Sequence, residues 1–540
     1  MPQKSKKMKP LVPVNKLILV SALGFLLGIC GILIGMFWEQ IFNTMLNKEM
    51  VLRPDSVIYT RWKNPPLDLN LDIYLYNWTN PEDFGNSSVK PILEQCGPYR
   101  FREKPDKVDI NWHPENASVT YKRKSLYYFD AAGSNGSLDD TIVTLNAVAL
   151  AAAAKTKYWD AMNTRMVNMG LSVYQQELSI SKTVDELLFT GYSDDMMTTA
   201  RTMTNIFGKK VEVPFDKFGW FYTRNGSAEL TGVFNAYTGA DDISRMGQMH
   251  TWNYKTNTGF FESHCGMVNG SAGEFYPKNL TPDSIVGLFT PDMCRTVPLE
   301  YTEAVEIEGI RGYKYSGGAR AVDNGTLYPE NECFCGGECV PSGLMNVSAC
   351  RFGTPAFMSF PHFYQADPFY VDQVEGLEPD KEKHEFYMIL EPKTGLTLEV
   401  AARFQVNMLV EPIKGISIYE DVPRIFFPLI WFEQKVRITP DLAAEWKLIP
   451  RVLLGGQIFA GVLFAIGVIM LAWYPMQHLC FGRRNRRGTS STNKIHSSEN
   501  GVVAELKALQ NHKDTVPEQS PLLEKSTKSL TITESNGKKE

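Results

Sequence analysis

Two stretches without a charged residue stand near opposite ends of this chain, and they limit its fold more than anything between them. Residues 17–38, LILVSALGFLLGICGILIGMFW, number 22; residues 452–474, VLLGGQIFAGVLFAIGVIMLAWY, number 23, with Gln457 as the strongly polar member. About 20 apolar residues in a helix cross a bilayer core of about 30 Å. Both stretches are therefore expected to span a membrane. A cleaved signal peptide has a shorter apolar core of about 7–15 residues, so the first is read as a retained anchor. A buried helix of a soluble protein would carry charge on one face, and neither stretch does.

The flanks set the orientation. Lys4, Lys6, Lys7, Lys9 and Lys16 precede the first stretch; Arg483, Arg484, Arg486 and Arg487 follow the second. Positive flanks stay cytoplasmic. The expected organisation is a cytoplasmic N-terminus (1–16), a span (17–38), an exoplasmic region (39–451), a second span (452–474) and a cytoplasmic tail (475–540). Asn-x-Ser/Thr sequons occur at Asn77, Asn86, Asn116, Asn135, Asn225, Asn269, Asn279, Asn324 and Asn346, all between the spans. That one-sided distribution agrees with the charges, although a proline after Thr281 weakens Asn279.

Six of the nine cysteines fall between Cys265 and Cys350: Cys265, Cys294, Cys333, Cys335, Cys339 and Cys350. An even cluster in an oxidising compartment reads as three disulfides, with 15 possible connectivities. Zinc would favour paired Cys-x-x-Cys motifs, and Cys-x-Cys-x-x-x-Cys matches them poorly. Cys30 lies inside the first span as a small packing residue. Cys480, six residues past the second, is a palmitoylation candidate or an inert thiol. Cys96 is left over on the exoplasmic side.

Residues 39–451 hold 39 Lys and Arg against 53 Asp and Glu. Such an acidic surface repels anions on average, so an anionic ligand needs a local basic patch. No nucleic-acid partner is indicated. Short runs such as LDIYLYNW, ASVTYKRKSLYYF, KVEVPF, FYMILEP and TLEVAARFQVNMLV are rich in β-branched and aromatic residues, with turn formers at their ends. They predict an antiparallel sheet or barrel. Residues 141–178, rich in Ala and Met, are expected to be helical. Leu145, Val148, Ala152, Lys155, Trp159, Met162, Met166 and Met169 follow 3–4 spacing. This stripe reads either as ordinary core or as an adaptable apolar face beside a cation, suited to amphipathic ligands. Thr183 and Glu186 form a capping-box pattern for another helix.

The tail, poor in aromatics and rich in Ser, Lys, Glu and Asn, is expected to be disordered. Within it, Glu518, Leu522 and Leu523 match the acidic dileucine form that endocytic adaptors read. Gly24, Gly28, Gly31 and Gly35 line one face of the first span, where close backbone approach can join it to the second span or to another protomer. Nucleophile-elbow, zincin, phosphate-loop and EF-hand patterns are all missing, and the histidines at 113, 250, 264, 362 and 384 have no metal spacing. The sequence argues for a receptor or transporter rather than an enzyme, with no cofactor or metal.

Several stretches carry a specific likeness: GPYRFRE (97–103), YTGADDISRMGQMHTWN (237–253), FTPDMCRTVPLEY (289–301), SFPHFYQADP (359–368), EPKTG with ARFQVN (391–407) and PLIWFEQ (428–434). With two terminal spans and a late cysteine cluster, the chain resembles the class B scavenger receptor family of fatty-acid translocase and lysosomal integral membrane protein type two, insect-type members included. The resemblance implies a mainly β fold with α: an irregular antiparallel β-barrel with an apical helical bundle and an internal hydrophobic tunnel. It implies the pairs Cys265–Cys333, Cys294–Cys350 and Cys335–Cys339. It also implies a ligand-binding tip within 141–190. The lysines that fatty-acid translocase carries there fall near Ser172 and Tyr174, so that cationic patch is either missing or displaced to Lys155, Lys157 and Arg165, beside Trp159 and Met162. Implied partners are lipids or lipoproteins, with sterol, carotenoid or fatty acid as cargo, at the plasma membrane or in endosomes and lysosomes. The alternative is an endosomal or lysosomal sorting receptor for a luminal protein.

Overall fold

The computed structural model describes residues 14–489 except 66, 68, 86–88, 203–204, 207–208 and 211–212. Residues 1–13, 490–540 and the Asn86 sequon therefore lie outside the described residues, as do Glu518, Leu522 and Leu523. Two compact units emerge: residues 23–468, which hold all of the β-structure, and residues 1–22 with 469–540. The described part of the latter is the ends of two long helices, Val14–Met50 and Leu448–Thr489.

Both helices present apolar side chains outward. Only 17% and 11% of their most apolar windows are buried, against what a soluble core helix would require. They are long and apolar enough to cross a membrane. The second continues through Thr489, which corrects the expectation of disorder for residues 475–489. Pro475 removes one backbone donor, but Met476, Gln477, Leu479 and the arginines are good helix formers. Within residues 23–468 the glycine face is already occupied. A Cβ at Gly31 would lie 2.6 Å from the Phe464 nitrogen and 2.8 Å from the Ala460 carbonyl oxygen, and one at Gly467 would lie 2.6 Å from the Gly24 carbonyl oxygen. The face thus packs on the chain's own second span. Of the two partners that the sequence left open for this face, the chain's own second span is the one in contact with it at Gly31 and Gly24.

Between the helices, alternation builds a 13-stranded antiparallel sheet. Its main path runs Ile285–Thr290, Arg295–Ile307, Ile310–Ser316, Tyr387–Leu390, Thr397–Val410, Ile425–Arg437, Leu69–Trp78, Leu93–His113, Ser118–Phe129, Val233–Tyr237, Met249–Trp252. The end strands are linked through one segment. Met249 N donates to Gly270 O, and Phe289 N donates to Ser271 O, both at 2.8 Å. The result is a nearly closed barrel, which removes most of the unpaired edge that an open sheet would expose.

Period-two alternation fixes the inner wall. Register places Phe404 opposite Phe432, Ile73 opposite Phe432, Leu71 opposite Phe101, and Glu103 opposite Tyr127. Two apolar clusters fill the interior, and the half-buried Phe432 packs against both.

Residues 141–178 are not one helical run. Thr141–Leu145 is a strand paired with Ser179–Thr183, because its β-branched residues favour the pleat. Helix Ala147–Lys155 starts where Asn146 accepts from Ala149 N at 3.0 Å. It breaks at Thr156–Tyr158, and Asp160 starts helix Ala161–Val173 by accepting from Asn163 N at 3.1 Å. The capping box at Thr183 and Glu186 is present.

Candidate functional site: the helical segment and the barrel interior

The break at Trp159 divides the expected stripe between elements. Helix Ala161–Val173 buries Asn163, Thr164 and Leu171, whereas Met162, Met169 and Val173 are 68%, 62% and 67% exposed. Tyr158 beside them is 86% exposed. The methionine face is therefore open surface rather than core. Trp159 is half-buried. Asn168 Oδ1 fastens the helix by accepting from Ser417 N at 2.8 Å and Ser417 Oγ at 2.9 Å.

The cations flank this face unequally. Lys157 pairs with Glu411 at 2.5 Å, and that hydrogen bond raises its pKa. Lys155 Nζ donates to Phe352 O at 2.8 Å. Arg165 is exposed and makes no ion pair among the described residues. The face thus offers flexible, polarizable contacts with positive charge at its edge, which suits an amphipathic surface.

Cys265 is bonded to Cys333, and Cys335 to Cys339. Cys294 and Cys350 are two buried free thiols beside one another, so the structure carries the implied third pair as proximity and not as a bond. His264, Cys265 and Cys333 cluster at metal-ligand distance, but bonded sulfurs offer no thiolate. Cys96 is a half-buried thiol whose pKa is raised by burial, then by Glu94 and Asp140. Cys480 falls within the second long helix.

Asn116, Asn135, Asn225, Asn269 and Asn279 are exposed; Asn77 and Asn346 are half-buried. Asn324 corrects the sequon reading. It is 2% exposed, and its Nδ2 donates to Val340 O at 2.8 Å, so a glycan on that nitrogen has no room.

The barrel interior holds charged residues that the sequence reading passed over. Arg123, Arg224 and Asp292 are half-buried, with 28%, 26% and 36% of their side-chain area accessible. Arg224 and Arg351 both reach Asp292, the latter at 3.1 Å. Burial would raise the Asp292 carboxyl, but the two arginines outweigh it and hold it at about 2. Arg123 and Lys107 meet Glu274 at 2.8 and 3.4 Å. Between these groups Glu103 accepts from Ser125 Oγ at 2.6 Å, Tyr127 OH at 3.3 Å and Gln434 Nε2 at 2.5 Å. Burial raises the Glu103 pKa despite those bonds. The signal was parity: Tyr121, Arg123, Ser125, Tyr127 and Phe129 share one strand face, so Arg123 had to point with the aromatics.

A nearly closed antiparallel barrel carried between two helices fit to cross a membrane is the architecture of a two-span membrane protein with one large folded segment. The chain belongs to the CD36 family, whose profile matches residues 21–478. It is 49% identical over 465 residues to Protein peste of Drosophila melanogaster, covering 84% of this chain and 82% of that one. To scavenger receptor class B member 1 of Cricetulus griseus it is 30% identical over 460 residues (84% and 87%). To lysosome membrane protein 2 of Homo sapiens it is 30% identical over 449 residues (80% and 90%).

Proposed function

We propose that this protein is a scavenger-type membrane receptor that captures lipid-bearing or polyanionic particles on its helical segment and passes lipid through the barrel to the bilayer. Residues 39–451 are exoplasmic in this reading, glycosylated at the exposed sequons, and both termini are cytoplasmic. The observation that carries it is a nearly closed barrel filled by two apolar clusters, together with the open methionine face outside. An apolar tail gains roughly 0.8 kcal/mol per buried methylene, so a lined passage replaces transfer through water without chemical catalysis. The test is mass spectrometry of lipids that copurify with the full chain from glycosylating cells. Sterol, carotenoid or fatty acid near one per chain is the expected result; a lipid-free protein that also takes up none when offered overturns the reading.

A second reading, sorting of a luminal protein to lysosomes, is favoured by the likeness to lysosome membrane protein 2 and by Glu518, Leu522 and Leu523 in the tail. Replacing both leucines by alanine then strands the protein at the cell surface. An unchanged distribution removes this reading.

A further inference from the structure

We propose that a groove on the outer face of the barrel is the seat of the chain's own Asn116 glycan, which lies along the sheet and stacks a sugar ring on Tyr254. The inference rests on the exoplasmic, glycosylated reading of residues 39–451 and names what one of those glycans does.

Strand parity puts the groove beside the sequon. Tyr121 and Arg123 share one face of Ser118–Phe129, so Ser118, Thr120 and Lys122 take the opposite face. Asp109, Asn111, Thr120, Lys122 and Tyr254 line a groove of about 380 Å³ there. Asn116 is exposed at the turn that leads into this strand, and its Oδ1 accepts from Ser118 Oγ at 2.7 Å. That bond draws the side chain toward the face that carries Thr120 and Lys122, and it does not use Nδ2, the atom that takes a glycan. Lys122 is about 14 Å along the strand from Ser118, at about 3.4 Å per residue. The first few sugars of a glycan cover that span.

Tyr254 carries the argument further. Asn253 and Tyr254 have φ of 50° and 64°. Across them Trp252 N donates to Lys255 O at 2.9 Å, and Lys255 N donates to Trp252 O at 3.0 Å. This is a two-residue turn with both central residues left-handed, and glycine is the favoured second residue because a Cβ is strained there. The chain places a tyrosine at that position and leaves it 76% exposed, so packing within the protein does not offset the strain. A ring open at the rim of a polar groove suits the C–H face of a pyranose, while Asp109 and Asn111 offer side-chain oxygens to its hydroxyls. The charges argue against an anion. Lys122 already contacts Asp109 at 3.1 Å and Glu229 at 2.7 Å, so its charge is neutralised in place. A neutral polyhydroxylated ligand fits, and Asn116 tethers one beside the groove, which raises its effective concentration above that of a free sugar.

The full chain, purified in nanodiscs from glycosylating cells, is treated with a peptide N-glycanase without denaturation, and release is followed site by site by glycopeptide mass spectrometry. In wild type the Asn116 glycan is expected to leave several-fold more slowly than that on Asn269, another exposed sequon. Tyr254→Gly supplies the residue that the turn favours, so the fold is kept. It is expected to raise the Asn116 rate to that of Asn269 while the Asn269 rate stays as it was. Iodination of Tyr254 reads the other partner, slow in wild type and fast in Asn116→Gln. If Tyr254 shaped only the turn, Tyr254→Gly would leave both release rates unchanged. Equal release from the two sites in wild type, or slow release at Asn116 that persists in Tyr254→Gly, overturns the inference. So does a Tyr254 that stays protected in Asn116→Gln, which would show another occupant of the groove. Asn116 without a glycan while other sequons carry theirs also overturns it and leaves the exoplasmic reading standing. If none of the sequons carries a glycan, that reading falls with it.

Discussion

His362 and His384 lie face to face, ring centroids 4.3 Å apart and 10° from parallel, and both are buried. Each ring is held by a bond that uses its unprotonated nitrogen: His362 Nδ1 accepts from Glu378 N at 3.0 Å, His384 Nδ1 from Asp380 N at 2.9 Å. Burial, then the neighbouring His384 and Lys383, pushes His362 down to about 3. Burial holds His384 at about 4; Asp380 opposes the shift, and Arg403 and Lys383 add to it. The unfolded chain titrates these rings near 6.5, so between that value and the folded values only the unfolded state gains protons. Stability is full above about pH 6.5 and falls as pH drops through this window, by about 2 kcal/mol per histidine between pH 7 and 5. His384→Asn keeps an acceptor near the Nδ1 position without titrating. Chemical unfolding at pH 7 and 5 should show the acid-dependent loss reduced by about 2 kcal/mol in the variant; an unchanged loss would mean that the ring does not titrate as described. The thiols of Cys294 and Cys350 give a second residue-scale test. Both are buried and in contact, and an oxidising compartment would join them. Peptide mapping without reductant should recover them linked, and two alkylated thiols instead would show that the third pair does not form.

The elements record what local sequence could and could not reveal. Thr397–Val410 coincides with the run that alternation predicts, and LDIYLYNW falls inside Leu69–Trp78, because neighbouring strands accept one face of each. Thr183 and Glu186 were legible for the same local reason: capping needs only four residues of chain. Thr141–Leu145 was missed because its partner, Ser179–Thr183, lies 38 residues away in register and the alanine run after it dominates any window. The glycine face of the first span was visible, but its partner was not, since close approach is possible for either an intramolecular or an intermolecular helix. The structure assigns it to Ala460, Phe464 and Gly467, which yields a prediction with a built-in control. Gly31→Leu drives a side chain into the Phe464 and Ala460 backbone and should lower resistance to detergent unfolding by about 1–3 kcal/mol. Gly461→Leu, where an added Cβ meets nothing within 4 Å, should leave it unchanged. Equal effects of the two would argue that the spans do not pack in this way.

At the scale of the molecule, the sequence reading located the two membrane-length helices and the β-rich region, and it named ligand contacts at the tip but no lining residues for the tunnel that the resemblance implies. The charged interior was hidden because no single strand shows it: Glu103, Arg123, Arg224 and Asp292 come from four separate stretches of chain, brought together only by the register of a nearly closed barrel. Of the two readings open for the methionine stripe, core or adaptable face, the structure favours the face at Met162 and Met169, because the helix breaks at Asp160 and leaves both exposed. Under the proposed function, capture on the helix and transfer through the barrel make separable demands on one fold. Met162→Ser with Met169→Ser removes apolar contact from residues that are 68% and 62% exposed, so surface abundance and thermal midpoint should remain those of wild type. Binding of phosphatidylserine vesicles to cells that display the double variant should drop several-fold, because the flexible apolar anchors next to Arg165 are gone while its charge remains. Leu171→Ser, on the buried side of the same helix, should instead lose abundance and binding together. Undiminished vesicle binding by the double variant would move ligand capture away from this helix.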